Sequence, residues 1–194
     1  ALSRNLAKQM RVAKEWKRLD AHLLSGKRVG IIGLGRIGKR VIELLKPFHV
    51  SIVVSDPYAD SNWVAVNGVT LATLDELLSS CDIVSLHAAK SAEHPLVLGR
   101  EQLAKMKQGA MLINLARGNM IDEVALGDAL KSGRLWGAGV DVYPREPYSG
   151  ALCELDNVVL TPHSATLTVE TRVAMETECV EKAIRFLRGE IRPN

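Results

Sequence analysis

The chain has 194 residues, 47% of them hydrophobic and 4% aromatic, enough apolar material for one good core in a single large domain. Its 25 Lys and Arg against 22 Asp and Glu leave a net charge of +3, too small a bias to indicate a nucleic-acid or membrane-surface partner. Cys81, Cys153 and Cys179 lack CxxC spacing, which argues against a disulfide framework or a metal site and fits reduced thiols in a cytoplasmic protein.

The chain opens at Ala1 inside a helical pattern, and so reads as a segment of a longer protein. No signal peptide pattern opens it, and no apolar run is long enough to span a bilayer. Arg4, Lys8, Arg11, Lys14, Lys17 and Arg18 face only Glu15 and Asp20 in this helix, a solvated face rather than a nucleic-acid arm. Leu2, Leu6, Met10, Ala13 and Trp16 form an apolar stripe along it. The first joint is expected near Ser25-Gly26, so that 1–24 form a connecting helix and 25–189 the main domain.

From there, short apolar runs alternate with helical periodicity. The runs "KRVGII", "VSIVV", "DIVSL", "AMLIN", "GAGVDV" and "NVVL" are rich in β-branched residues and lack strict alternation, the pattern of strands covered on both faces. Between them, "RIGKRVIELLKPF", "TLDELLSS", "EQLAKMK" and "DEVALGDALKSG" read as helices. Thr73 with Glu76 predicts a capping box, and Gly133 a helix stop. The spacing predicts a last helix over about 168–188, with Val169, Val173, Val180, Ile184 and Leu187 on one face and Gly189 beyond its end. Repeated β–α–β order implies an α/β fold of Rossmann type, a doubly wound parallel sheet with helices on both faces.

The stretch "GIIGLGRIGKRV" places Gly33, Gly35 and Gly38 as G-x-G-x-x-G between a strand and a helix. Gly33 permits the tight turn, Gly35 lets the backbone approach a pyrophosphate, and Gly38 lets the helix lie close to the strand. Alone the pattern is weak, because glycine turns also serve packing or bind a flavin or a methyl donor. Asp56 closes the next strand about twenty residues on, where a carboxylate accepts both ribose hydroxyls of an adenosine and repels a 2′-phosphate. The cofactor expected is therefore NAD rather than NADP, although Asp56 also suits a turn before Pro57.

Other strand ends carry His87, Arg117, Asp141 and His163, on the rim where open α/β sheets bind ligands. Singly, each has a structural explanation; together beside a phosphate-binding turn they suggest chemistry. Histidine exchanges a proton near neutral pH, which suits His163, and a carboxylate beside it would favour the imidazolium, for which Glu146 is the candidate. The guanidinium of Arg117, in "NLARGNMID", can grip a substrate carboxylate bidentately, which suits a 2-hydroxy or 2-oxo acid.

The motifs "GIIGLGRIG", "INLARGNMIDE", "GAGVDVYPREP" and "NVVLTPHSA" resemble, in this order, those of the D-isomer-specific 2-hydroxyacid dehydrogenases. The resemblance implies oxidoreduction with NAD, and Arg117, Glu146 and His163 as the catalytic set. It also implies cofactor contacts at Arg36, Ile37, Asp56, His87, Ala88, Leu115, Ala116, Arg117, Asp141, His163, Ser164, Ala165 and Thr166, with Asp141 near the nicotinamide carboxamide. After "SLH" the family usually has a loop with proline and threonine, whereas here "AAKSAEH" follows and Ser91 stands for threonine. Such enzymes have a second, substrate-binding domain, to which 190–194 would return, so this segment is expected to bind NAD and turn over poorly by itself. Relatives dimerise through the region of the first helix, and the stripe ending at Trp16 is compatible with a homodimer or with packing on its own domain. Two readings compete with the dehydrogenase: a non-enzymatic NAD-sensing protein of corepressor type, and a methyltransferase, which would leave Arg117, Glu146 and His163 without a task.

Overall fold

The computed structural model describes residues 12, 14, 21–89 and 96–192. The helical stripe from Leu2 to Trp16 and the altered loop from Lys90 to His94 lie outside the described residues. Two compact units divide the chain, 1–161 and 162–194.

The first unit is built on one parallel sheet of seven strands in the order β3-β2-β1-β4-β5-β6-β7. The strands are β1 (Arg28–Ile32), β2 (Ser51–Ser55), β3 (Thr70–Leu71), β4 (Ile83–Leu86), β5 (Ala110–Asn114), β6 (Leu135–Val140) and β7 (Val158–Leu160). The helices between them are α1 (Arg36–Leu45), α2 (Ser61–Asn67), α3 (Leu74–Ser80), α4 (Arg100–Lys105) and α5 (Glu123–Lys131). This is the doubly wound architecture that the alternating runs imply. Adjacent residues of a strand point to opposite faces, so a run apolar at every position needs cover on both. Val53 accordingly enters a core with Ile32, Leu77, Leu86, Leu112 and Leu126. Its neighbour Val54 enters a second core with Ile31, Ile42 and Val64.

Local chemistry sets the element ends. Thr73 Oγ1 accepts from the Glu76 N–H while the Glu76 carboxylate accepts from the Thr73 N–H, the capping box read from the sequence. Gly133 follows α5 with φ of 72°. Three details differ from the sequence reading. The edge strand β3 and the short helix α2 are additional, the latter capped by the Asp60 carboxylate, which accepts from the N–H groups of Asn62 and Trp63. Strand β6 begins at Leu135, earlier than its glycines suggest, and ends at Val140, so Asp141 stands just beyond it.

The winding reverses between β1 and β4, because β2 and β3 extend the sheet to one side and β5 to β7 to the other. Ligands of open α/β sheets bind outside the carboxyl ends of the strands at such a switch point. The turn after β1 and the loop after β4 flank it.

In the second unit, α6 (Val169–Leu187) starts at Thr168, whose hydroxyl accepts from the Thr171 N–H, and stops before Gly189 with φ of 71°. Its apolar positions Val169, Val173, Val180, Ile184 and Leu187 are exposed. Among the described residues no helix is long and apolar enough to cross a membrane.

Candidate cofactor and substrate site

The glycine turn is built for close approach. Gly33 has φ of 95°, and a Cβ there would lie 2.5 Å from the Ala88 backbone nitrogen, so only glycine lets the end of β1 pass the end of β4. A Cβ on Gly38 would lie 2.2 Å from the Gly33 carbonyl oxygen, which keeps α1 tight against the turn. Gly35 is different in kind. Its φ of −73° suits any residue, and a Cβ there would meet nothing within 4 Å among the described residues. Packing among the described residues therefore does not demand glycine at 35; clearance for something outside them would.

Gly35 is also the N-cap of α1, with no side-chain cap and no acidic residue in the first turn. The opening N–H groups of α1 thus keep their dipole and their donors for an anion. Arg36 and Ile37, at the first positions of the helix, are exposed.

Asp56 follows β2 and is wired into this turn. Its Oδ2 accepts from the Leu34 N–H at 2.6 Å and its Oδ1 from the Tyr58 N–H at 2.8 Å. The carboxylate is thereby fixed beside the glycine turn, and each oxygen retains a further lone pair. The bland reading of Asp56 as a turn former is half right, because the Tyr58 bond is an Asx turn. The bond to Leu34 spans 22 residues and joins two strand ends.

His87 stands at the end of β4, where Ser85 Oγ lies 2.9 Å from its Nε2 and its Nδ1 is buried without a partner among the described residues. Burial pushes the ring's pKa below the ordinary histidine value, so it is held neutral. Ala88 follows it against Gly33.

Arg117 owes its place to Asn114, which the sequence reading did not single out. The buried Asn114 side chain accepts from the Ala116 N–H at 3.1 Å and donates to the Arg117 carbonyl at 3.0 Å. It thereby templates a turn in which Leu115 and Arg117 are exposed and Ala116 is buried. An asparagine directly after an apolar run is the available signal. Arg117 Nη1 donates to the Ala116 carbonyl at 2.7 Å, which orients the guanidinium and leaves other N–H groups of the fork for a ligand.

Gly118 ties this turn to the loop that carries Glu146. A Cβ on Gly118 would lie 1.9 Å from the Tyr143 carbonyl carbon and 2.4 Å from Pro144 N, so the two backbones are in direct contact. The Tyr143 N–H donates to Glu146 Oε1 at 3.2 Å, and the Glu146 side chain is exposed. Asp141, buried after β6, accepts from Thr161 Oγ1 at 2.5 Å, a short charge-assisted bond that joins the ends of β6 and β7. The first unit therefore sets the glycine turn, Asp56, His87, Ala88, Arg117, Asp141 and Glu146 at or just beyond the carboxyl ends of its strands.

The second unit contains His163, Ser164, Ala165 and Thr166, ahead of α6. His163 has φ of 49°. His49 also has positive φ, but there the residue caps a helical turn. No helix end accounts for His163, and such a backbone costs about 1–3 kcal/mol, a strain found most often at functional sites. No group of three or more His, Cys, Asp or Glu among the described residues is placed to hold a metal ion.

Residues 1–165 match the family model described as "D-isomer specific 2-hydroxyacid dehydrogenase, NAD binding domain". The chain belongs to this family. Among its relatives, a D-3-phosphoglycerate dehydrogenase of Methanocaldococcus jannaschii is 40% identical over 93% of this chain and 35% of its own length. A glyoxylate reductase of Korarchaeum cryptofilum is 42% identical over 87% of this chain and 52% of its own. The NAD-complexed D-isomer specific 2-hydroxyacid dehydrogenase of Lactobacillus delbrueckii superposes with a TM-score of 0.83 at 27% identity, over 98% of this chain and 62% of that one. The chain thus spans about a third to a half of the length of these curated relatives.

Proposed function

We propose that residues 25–189 form an NAD-binding domain that serves hydride transfer between NAD(H) and a D-2-hydroxy or 2-oxo acid. The observation that carries this reading is the pairing of an open Gly35 with an Asp56 carboxylate pinned to the same turn. The residues fit the cofactor. Gly35 leaves room for the pyrophosphate, the N–H groups at the start of α1 and the exposed Arg36 offer it donors and charge, and Asp56 offers its free lone pairs to the ribose diol. Ile37, Ala88, Leu115 and Ala116 would line the apolar flanks. His87 and Asp141 would face the cofactor from the ends of β4 and β6, and His163 to Thr166 would complete the contacts. When bound, NAD supplies the acceptor or donor of hydride.

The chain's own groups would do the rest. Arg117 would bind the carboxylate of the acid and polarise the adjacent carbonyl through its planar fork. His163 would take the hydroxyl proton during oxidation and return it during reduction. Glu146 would hold the ring in orientation and stabilise the imidazolium. The strained backbone at His163 and the templated turn at Arg117 support this division of labour. The relatives' names as a phosphoglycerate dehydrogenase and a glyoxylate reductase support the same substrate class. Free, unpaired cysteines support a reducing, cytoplasmic setting, and a homodimer is the proposed assembly.

The test is a panel of 2-oxo acids with NADH, measured as specificity constants for the full-length enzyme as parent and for its Arg117→Lys variant. Lysine keeps the charge but loses the bidentate fork, so the account expects about a tenfold or greater loss, mostly in KM. Equal constants for parent and variant on every acid would remove Arg117 from the site.

A further inference from the structure

We infer that Thr161 is a positioning residue, whose hydroxyl holds the Asp141 carboxylate in the orientation that takes the carboxamide of the nicotinamide. The inference rests on the proposed NAD site, in which Asp141 faces the cofactor, and goes beyond it by naming what sets that carboxylate. Every contact involved lies within the first unit.

Asp141 is buried just beyond β6, and its N–H donates to the Asn114 carbonyl oxygen at 3.1 Å, which ties its backbone to the end of β5. With the backbone fixed, an aspartate side chain still turns about χ1 and χ2. Thr161 Oγ1 donates to Asp141 Oδ1 at 2.5 Å and so selects one arrangement of the carboxylate. Thr161 can do this because its own backbone is held on both sides. Its N–H donates to the Val140 carbonyl oxygen at 3.1 Å, and its carbonyl oxygen accepts from Tyr143 Oη at 2.8 Å. Burial pushes the Tyr143 pKa above the ordinary tyrosine value, so the hydroxyl keeps the proton it donates. Branching at Cβ then leaves the threonine few χ1 choices.

Tyr143 is anchored in turn. Its backbone rests on Gly118, its ring stacks on Tyr148 with centroids 4.2 Å apart, and the Tyr148 hydroxyl donates to Glu123 Oε1 at 2.8 Å. A chain of contacts therefore runs from the stretch that carries Arg117 to the Asp141 carboxylate. A carboxylate accepts from the N–H groups of a carboxamide, and it binds more tightly when its oxygens are set before the ligand arrives. Without the Thr161 hydroxyl the carboxylate would be ordered only on binding, at a cost that falls on the nicotinamide half of the dinucleotide. The adenosine half, proposed to bind at the glycine turn and Asp56, would not bear that cost.

The test compares NADH with ADP-ribose, which keeps the adenosine, the pyrophosphate and the second ribose but lacks the nicotinamide. Calorimetric titration of the intact chain gives the ratio of the two dissociation constants, in which damage common to both ligands cancels. Asp141→Ala should reduce the preference for NADH by about tenfold, the loss of one charge-assisted bond. Thr161→Val keeps the shape and removes the hydroxyl, and should reduce the preference by about threefold while ADP-ribose binds as before. Thr161→Ser restores the hydroxyl and should bring the ratio back close to the parent's. The Asp141→Ala/Thr161→Val pair should match Asp141→Ala, because the hydroxyl then has no carboxylate to hold. If Asp141→Ala does not fold, Asp141→Asn, which loses the charge and keeps the shape, should reduce the preference by about threefold. A ratio that falls with an Asp141 variant but not with Thr161→Val overturns the positioning and leaves the NAD site standing. So does a Thr161→Val chain that loses affinity for both ligands equally, or a Thr161→Ser chain as impaired as Thr161→Val. A parent with no preference for NADH, or a ratio indifferent to the Asp141 variants, takes Asp141 away from the nicotinamide and overturns the positioning with it. A parent that binds neither ligand overturns the NAD site itself.

Discussion

Replacing Asp56 with alanine deletes two hydrogen bonds whose consequences can be separated. The bond from the Tyr58 N–H is exposed, so water replaces it at little cost. The bond from the Leu34 N–H is partly buried and 2.6 Å long. Hydrogen bonds to charged groups contribute about 1.5–3 kcal/mol, and partial exposure puts this one at the lower end, so unfolding free energy should fall by about 1–2 kcal/mol. Loss of the ribose acceptor should weaken NADH binding by about 10- to 100-fold, the equivalent of one or two hydrogen bonds to a carboxylate. Affinity for NADPH should fall less, because the carboxylate that repels a 2′-phosphate has gone. Guanidinium denaturation gives the first quantity, and fluorescence titrations with NADH and NADPH give the others. A destabilised variant with an unchanged ratio of NADH to NADPH affinity would show that Asp56 is only a tie between β1 and β2, and the assignment of the ribose site would fall.

Two further outcomes are expected. Gly118→Ala forces a Cβ against the backbone of Tyr143 and Pro144, which cannot yield as a side chain can, and should cost about 1–3 kcal/mol in denaturant unfolding; a stability equal to the parent would mean that the two loops are not in direct contact. Burial of His87 lowers its folded pKa below the usual value of about 6.5, so its neutral form favours the folded state fully above that pH, and the contribution is lost as pH falls from there through the folded pKa. Stability measured against pH should therefore decline below about pH 6.5, ahead of the carboxylates Asp82 and Glu76, whose lowered pKa values make their contributions fail only at more acidic pH. His87→Gln should flatten that first decline, and a profile superimposable on the parent's would refute the burial of the ring.

What could be read from the sequence was what is local. The glycine turn, the capping box at Thr73 and the strand-end positions of Asp56, His87, Arg117 and Asp141 each depend on a few neighbouring residues, and the fold preserves them. Strand β3 escaped notice because two residues carry no periodicity, and α2 because its seven residues are too few to show a helical period; Asp60 ahead of "SNW" was the cap that could have announced it. The contacts that hold the candidate site join residues far apart in the chain. Leu34 and Asp56 are 22 residues apart, and Glu123 and Tyr148 are 25 apart. Asn114 looked like the end of a strand and proved to be the template for the Arg117 turn. Nothing in the spacing of Gly118 and Tyr143 suggests that one backbone lies on the other.

The central claim is that the turn at Gly33 to Gly38 is a cradle for a dinucleotide and not merely a packing device. Gly35→Val tests it directly, since the backbone at 35 accepts any residue and, among the described residues beyond its chain neighbours, nothing stands within 4 Å of the new Cβ. Calorimetric titration with NADH should give saturable one-to-one binding for the parent and none for the variant, with the two unfolding at the same denaturant concentration. Equal NADH affinity in a folded Gly35→Val chain, or no binding by the parent, would contradict the account.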